Sequence, residues 1–246
     1  MDKNMHVKEL LTAQIDAAMW ECCPPKVVRL IRETEVVDRI LVQSIEDAMA
    51  FSAKDPAAGN DPLRVIQTYT SFKAMLHYRL AYAVDNLCTP AFLEAEPVST
   101  YAALISSRGK LLSGAELHQK CRIGWRFVLD HGVGTVFGET AQIGDDCYVL
   151  GGVILGATGI AGNPSDKRHP TVGDKVQIGA FARVLGDVTV GSDVFIGAHC
   201  VITEDIAPFS RVSVRVPLQI VPIQHRQDDL SALAVQPSQS IAVRML

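Results

Sequence analysis

The sequence predicts an α+β chain: an N-terminal α-helical half followed by a parallel β-helix of six-residue units. Three observations carry this. Apolar residues recur at helical spacing as far as about residue 110. From Arg122 onward the spacing changes to a period of six. That period then breaks in two places, one at Asp130-His131 and one in a stretch rich in Gly and Pro, and breaks in a regular solenoid are where function is inserted.

In the helical half, Met5–Trp20 (MHVKELLTAQIDAAMW) places apolar side chains along one stripe, and Pro24-Pro25 closes it. Val27–Phe51 is expected to continue as the next helix, through Val28, Leu30, Ile31, Val36, Val37, Ile40 and Leu41. Lys54–Pro62 (KDPAAGNDP) is a loop by its Pro, Gly, Asn and Asp content. Val65–Val84 reads as another amphipathic helix, and the two prolines of 88–100 interrupt the helical pattern after it. This half is expected to cap the rest or to join copies of the chain.

In the second half, Val172, Ile178, Val184, Val190, Ile196 and Ile202 keep strict six-residue register. Gly follows four of them, at Gly173, Gly179, Gly191 and Gly197. Phe137, Ile143, Val149 and Leu155 obey the same rule earlier. Six residues suit one short strand and one turn, and three units close a triangular coil. The aliphatic residues point inward, and the glycines are expected at turns that need positive φ. The period itself leaves the handedness of the coil open. We divide the chain into a helical oligomerisation or substrate domain (1–110), a β-helix (111–222) and a tail (223–246).

The first break lies at Asp130-His131, where Leu129 and Phe137 stand eight apart and two extra residues enter the coil. The second lies between Leu155 and Val172, seventeen apart where eighteen would keep register, and is expected to loop out of the wall.

Composition narrows the classes. With 246 residues, 48% of them hydrophobic, the chain can bury a large core. A net charge of −4 offers no basic face for nucleic acid. No apolar run approaches the roughly 18 residues of a membrane span, and the charged N-terminus lacks a signal-peptide core. The six cysteines show no C-x-x-C spacing, so buried thiols in a reducing cytoplasm are expected rather than zinc or disulfides.

The motif LDHGVGTVFGETA (Leu129–Ala141), followed by DKRHP (Asp166–Pro170) and the clean repeat, resembles the serine O-acetyltransferases of the left-handed β-helix acyltransferase superfamily. The likeness covers most of the chain from about Asp55. It implies a left-handed coil, acetyl-CoA as co-substrate, L-serine as acceptor and no metal. It also implies a homotrimer or a dimer of trimers, and a partner enzyme of cysteine synthesis reached through the C-terminal tail.

A serine hydroxyl needs a base to remove its proton as it attacks a thioester, and histidine suits this because its pKa lies near working pH. His131 is the candidate base. By resemblance Glu116, where the family has Asp, is its orienting carboxylate. Asp55 and Asp130 take the ammonium or hydroxyl end of the amino acid, and Arg168 and His169 face its carboxylate. Gly156, Thr158, Ala180 and Ala198 match the positions that line the pantetheine arm. Several departures set this chain apart: Ala157 for a second Gly, Ile160 for Lys, Phe181 and His199 at small-residue turns, and a longer loop through Asn163-Pro164-Ser165. They motivate a second reading, a sister enzyme with another small hydroxy acceptor or acyl-CoA. A third is an idle binding scaffold.

Overall fold

The computed structural model describes residues 3–87, 98–163 and 166–215. The tail (223–246), most of the segment 88–100 and two residues of the long loop lie outside them.

Six α-helices make up the first half among the described residues: α1 (Lys3–Cys22), α2 (Pro25–Arg32), α3 (Val36–Lys54), α4 (Pro62–Thr68), α5 (Thr70–Asp85) and α6 (Val98–Ser113). In α1, Val7, Leu11, Ile15, Ala18 and Met19 form the buried stripe. The helix expected over Val27–Phe51 is two, α2 and α3. Between them the Thr34 hydroxyl donates to Ile31 O (2.6 Å) and accepts from Val36 N (3.3 Å). That local bonding competes with helix continuation. The expected helix Val65–Val84 is likewise two, because Tyr69 leaves the helical region (φ −87, ψ 113) between α4 and α5. α5 is buried nearly all round and packs against α1, α3, α4 and α6.

The coil has three parallel walls. Wall A orders β1 (Glu116–Leu117), β4 (Val136–Phe137), β7 (Ile154–Gly156), β10 (Arg183–Leu185) and β13 (Val201–Ile202). Wall B orders β2 (Arg122–Ile123), β5 (Gln142–Ile143), β8 (Thr171–Val172) and β11 (Thr189–Val190). Wall C orders β3 (Val128–Leu129), β6 (Tyr148–Val149), β9 (Gln177–Ile178), β12 (Phe195–Ile196) and β14 (Arg211–Val212). The in-register residues Phe137, Ile143, Val149, Leu155, Val172, Ile178, Val184, Val190, Ile196 and Ile202 all face the core.

Strand pairing measures both breaks. A regular turn of the coil advances 18 residues, as from Arg183 to Val201. The first turn advances 20, from Glu116 to Val136, so two extra residues do enter at the Asp130-His131 corner. The third advances 29, from Ile154 to Arg183. This corrects the reading of the second break. Leu155 and Val172 lie on consecutive walls, so seventeen residues are one six-residue step plus an eleven-residue excursion, not a turn one residue short.

The repeat glycines also have a different cause from the one expected. Positive φ falls two residues later, mostly at other residue types: Arg126, Asp146, Lys175, Phe181, Asp193 and His199. Gly124, Gly144, Gly173 and Gly179 do not adopt it. A Cβ at Gly179 would come within 2.5 Å of Ala198 N on the next turn. These glycines let successive turns approach.

The helices cap the open edge of the first turn, which would otherwise present unpaired strand groups. Tyr78 Oη donates to Cys121 O (2.7 Å) and accepts from Ile123 N (3.1 Å). Arg79 donates to Ile123 O (2.6 Å) and Gly124 O (2.5 Å) while binding Asp47 through two bonds. Asp47 accepts in turn from Phe127 N (3.0 Å). The Arg79 and Asp47 side chains are 3% and 2% exposed. Cys23, Cys121, Cys147 and Cys200 are buried. Burial raises the Cys121 thiol to about 12 and those of Cys23 and Cys147 to about 11, so they pack as neutral thiols.

Candidate active site

The corner from wall C to wall A carries the first break. His131 occupies a left-handed conformation there (φ 62), and its ring stands out of the corner, 80% exposed. A cleft of about 430 Å³ opens beside it, lined by Asp55, Tyr69, Ser71, Asp130 and His131. The structure thus brings together three of the residues that the sequence singled out. Asp55 does two jobs. Its Oδ1 accepts from Ala57 N (2.9 Å) in the turn after α3, and its Oδ2 faces the cleft. Tyr69, at the break between α4 and α5, donates to that Oδ2 (2.7 Å). Asp130 Oδ2 accepts from Tyr148 Oη on the next turn (2.8 Å) and lies 3.8 Å from His131 Nε2. Burial, and then Asp130, pushes the Tyr148 phenol well up, so it remains a donor.

Each carboxylate therefore has one oxygen engaged by a tyrosine, and the second oxygen of Asp55 is held by Ala57 N. Neither tyrosine role was legible in the sequence. Tyr148 looks outward between two in-register positions, and its partner lies eighteen residues away.

The corner from wall A to wall B carries the second set. The excursion folds back over Gly138-Glu139-Thr140. The Thr140 hydroxyl accepts from the backbone N–H of Arg168 (3.1 Å) and of His169 (3.2 Å) and meets His169 Nδ1 (2.9 Å). Thr140 N also donates to that Nδ1 (3.2 Å), so Nδ1 is an acceptor and the neutral ring carries its proton on Nε2. Lys167 ties the loop down through Thr140 O (2.7 Å) and Pro170 O (3.2 Å). Burial, and then the neighbouring Arg168 and Lys167, lowers the His169 pKa. Arg168 binds Glu139 Oε2 (2.5 Å) and, with Lys120, holds that carboxyl below its usual range. Gly138 is required here: a Cβ would come within 2.1 Å of His169 Nε2.

Glu116 stands at the start of wall A, paired with Val136. Its Oε2 accepts from Lys110 Nζ on α6 (2.5 Å). Among the described residues no hydrogen bond joins it to His131, and the carboxylate beside His131 is Asp130.

The candidate donor-binding residues divide the same way. Ala180 and Ala198 stand at the wall C to wall A corner, above His131. Gly156 and Thr158 stand at the far end of wall A, where Gly186 N donates to Gly156 O (2.9 Å) and Thr158 packs on Gly186. Every candidate residue thus falls at one of two corners separated by the width of wall A, about 10 Å for three strand residues. A single amino acid does not bridge them within one chain. Among the described residues no group of three His, Cys, Asp or Glu converges as a metal site.

Comparison with known proteins agrees with this architecture. The family model "Bacterial transferase hexapeptide (six repeats)" matches residues 169–204. The serine acetyltransferase of Synechococcus elongatus is 36% identical over 194 residues, covering 78% of this chain and 74% of that protein. That of Helicobacter pylori is 40% identical over 153 residues, covering 62% and 82%. The crystal structure of Neisseria gonorrhoeae serine acetyltransferase in complex with serine superposes with a TM-score of 0.67 at 28% identity, covering 86% of this chain and 83% of that one. The fold is N-terminal helices followed by a left-handed parallel β-helix of hexapeptide repeats.

Proposed function

The chain belongs to the serine acetyltransferase family, and on that footing we propose that it transfers the acetyl group of acetyl-CoA to the hydroxyl of L-serine, in a site shared by two copies. The observation that carries the shared site is the common division of two residue sets. His131, Asp55, Asp130, Ala180 and Ala198 belong to one corner, and Arg168, His169, Gly156 and Thr158 to the other. A closed homo-oligomer, a trimer or a pair of trimers, sets one copy's first corner against its neighbour's second and completes both sets at once.

In that site Asp55 and Asp130 hold the ammonium of the amino acid, and Arg168 with His169 Nε2–H holds its carboxylate. The substrate hydroxyl then faces the exposed His131 ring. His131 removes the hydroxyl proton as the oxygen attacks the thioester carbonyl. The tetrahedral intermediate collapses by breaking its carbon–sulfur bond, and the imidazolium returns the proton to the departing thiolate. An orienting role for Glu116 is also part of the proposal; it requires the carboxylate, bonded here to Lys110 through Oε2 and not to His131, to turn toward the imidazole when substrate binds. The free cysteines support a reducing, cytoplasmic setting. A cysteine-synthesis partner docking on the tail remains part of the proposal, as does the absence of any metal or nucleic-acid requirement.

The departures at Phe181, His199 and Glu116 favour one second reading, a different small hydroxy acceptor. Thiol release from acetyl-CoA, measured across L-serine, D-serine, L-threonine and L-homoserine, tests both. Preferential turnover with L-serine, lost by roughly 100-fold or more in His131→Ala, supports the first. Silence with L-serine but turnover with another acceptor supports the second. Undiminished turnover in His131→Ala contradicts the mechanism.

A further inference from the structure

Tyr69 stands where α4 ends and α5 begins, and both helices hold it. Its N–H donates to Val65 O (3.0 Å) and its carbonyl accepts from Lys73 N (3.3 Å). Its ring meets Phe51, in the last turn of α3, edge to face, with centroids 5.0 Å apart and planes at 85°. Phe51 O in turn accepts from Asp55 N (2.9 Å). The phenol is therefore fixed at both ends, by Phe51 along the ring and by Asp55 at the hydroxyl (2.7 Å). A phenol has one O–H to give. Here that proton goes to Asp55 Oδ2, so toward the rest of the cleft Tyr69 Oη acts only as an acceptor. The bond to Asp55, and then burial, raises the Tyr69 pKa, and the charge of Asp130 adds to it. The proton stays on the oxygen, and both carboxylates act on one phenol.

The cleft beside His131 thus presents three acceptors of two kinds: the carboxylates of Asp55 and Asp130, and the neutral phenol oxygen of Tyr69. Among the described residues its lining holds no lysine or arginine. A primary ammonium carries three N–H groups, and its charge favours carboxylate partners first. We propose that Tyr69 is a specificity residue for the acyl acceptor: its Oη takes the third N–H of a primary ammonium, beside Asp55 and Asp130, so the cleft selects a primary amine over a secondary one. A secondary ammonium gives its two N–H groups to the carboxylates. Its substituent then falls on the phenol oxygen, the weakest of the three acceptors, and leaves that oxygen unmatched. The inference rests on the acetyl-transfer reading above, in which Asp55 and Asp130 hold the ammonium, and adds to it a residue that counts N–H groups.

N-methyl-L-serine, whose ammonium has two N–H groups, is the probe. It is compared with L-serine in the full-length protein, through thiol release from acetyl-CoA. The wild type is expected to prefer L-serine by about 10-fold or more in kcat/KM, the size of one hydrogen bond from a charged donor. Tyr69→Phe keeps the ring on Phe51 and leaves Asp55 its bond from Ala57 N. In this variant kcat/KM for L-serine is expected to fall about 10-fold while that for N-methyl-L-serine stays within about twofold, so the preference is lost. The fall lies in KM and not in kcat, because the contact is made alike in ground and transition states. Equal loss with both acceptors overturns the proposal, by showing that Tyr69 acts only on the placement of Asp55. A gain with N-methyl-L-serine and no loss with L-serine overturns it too, by showing that the hydroxyl merely fills space. So does a wild type that uses both acceptors alike. Wild-type protein that releases no thiol with any amino acid of the panel above overturns the acetyl-transfer reading and this inference with it. Turnover confined to another amino acid of that panel moves the comparison to that acceptor and its N-methyl derivative, where the same results decide. The two failures are distinct: one is silence of the wild type, the other a ratio measured in an active enzyme.

Discussion

Tyr148 Oη donates to Asp130 Oδ2 over 2.8 Å, from one turn of the coil down to the next. Asp130 is mostly shielded, with its side chain 14% exposed, so the bond fixes which oxygen remains for a substrate ammonium. Tyr148→Phe keeps the ring and removes the donor. It is expected to raise the KM for the acceptor about 5- to 10-fold, roughly 1–1.4 kcal/mol. The KM for acetyl-CoA should stay within twofold. Steady-state kinetics with each substrate varied in turn checks this. Equal changes in both would show that Tyr148 supports the fold generally.

Gly138 and His169 give a sharper steric prediction. Gly138→Ala places a methyl where the His169 ring lies, and that ring is fixed by Thr140. The excursion must shift. A displacement of about 1 Å is enough to cost turnover on the order of 100-fold. Circular dichroism should remain unchanged, because β4 and β5 do not depend on the ring. Full activity in this variant would mean that His169 does not touch the substrate.

The Arg79–Asp47 pair holds the helices to the first turn of the coil. Arg79→Met leaves Asp47 a buried, uncompensated charge and frees the carbonyls of Ile123 and Gly124. The expected loss is about 3–5 kcal/mol, read as a lower urea midpoint at nearly constant slope. A midpoint within experimental error of wild type would contradict the capping role.

Acid should weaken the fold in a defined window. Burial lowers the pKa of His77, His118 and His169 below the ordinary histidine value. Above pH about 6.5 each is neutral in both folded and unfolded chains and their stabilisation is fully present. Below it the unfolded chain takes up protons that the fold refuses, so stability falls as the pH drops. Thermal melts from pH 8 to pH 5 are expected to show that decline. His169→Gln should flatten part of it, and an unaltered slope would remove His169 from the effect.

Most of the coil was legible because a six-residue period admits few structures, and Val172 through Ile202 kept it without exception. The first break was legible for the same reason: two residues too many between Leu129 and Phe137 have nowhere to go but a corner. The glycines misled because sequence does not separate a residue chosen for its φ from one chosen for lack of a Cβ. Only the contact between Gly179 and Ala198 decides. Helical periodicity likewise ran through the breaks at Thr34 and Tyr69, since one is set by a side-chain hydrogen bond and the other by a single residue's backbone dihedrals, neither of which hydropathy records. The cleft's tyrosines and the Thr140 latch depend on contacts between turns, which carry no signal along the chain. Lys110 opposite Glu116 is of the same kind: α6 places it there, six residues before its partner.

A shared site requires one copy's His131 to work with a neighbour's Arg168 and His169. Co-expression of two inactive variants, His131→Ala and the double Arg168→Ala, His169→Ala, tests it directly. In randomly mixed closed oligomers about one site in four is assembled from the intact corner of each variant. The purified mixture is therefore expected to recover roughly a quarter of wild-type acetyl transfer per site. Activity no greater than that of the two variants assayed separately would place the whole site within a single chain and contradict the shared arrangement.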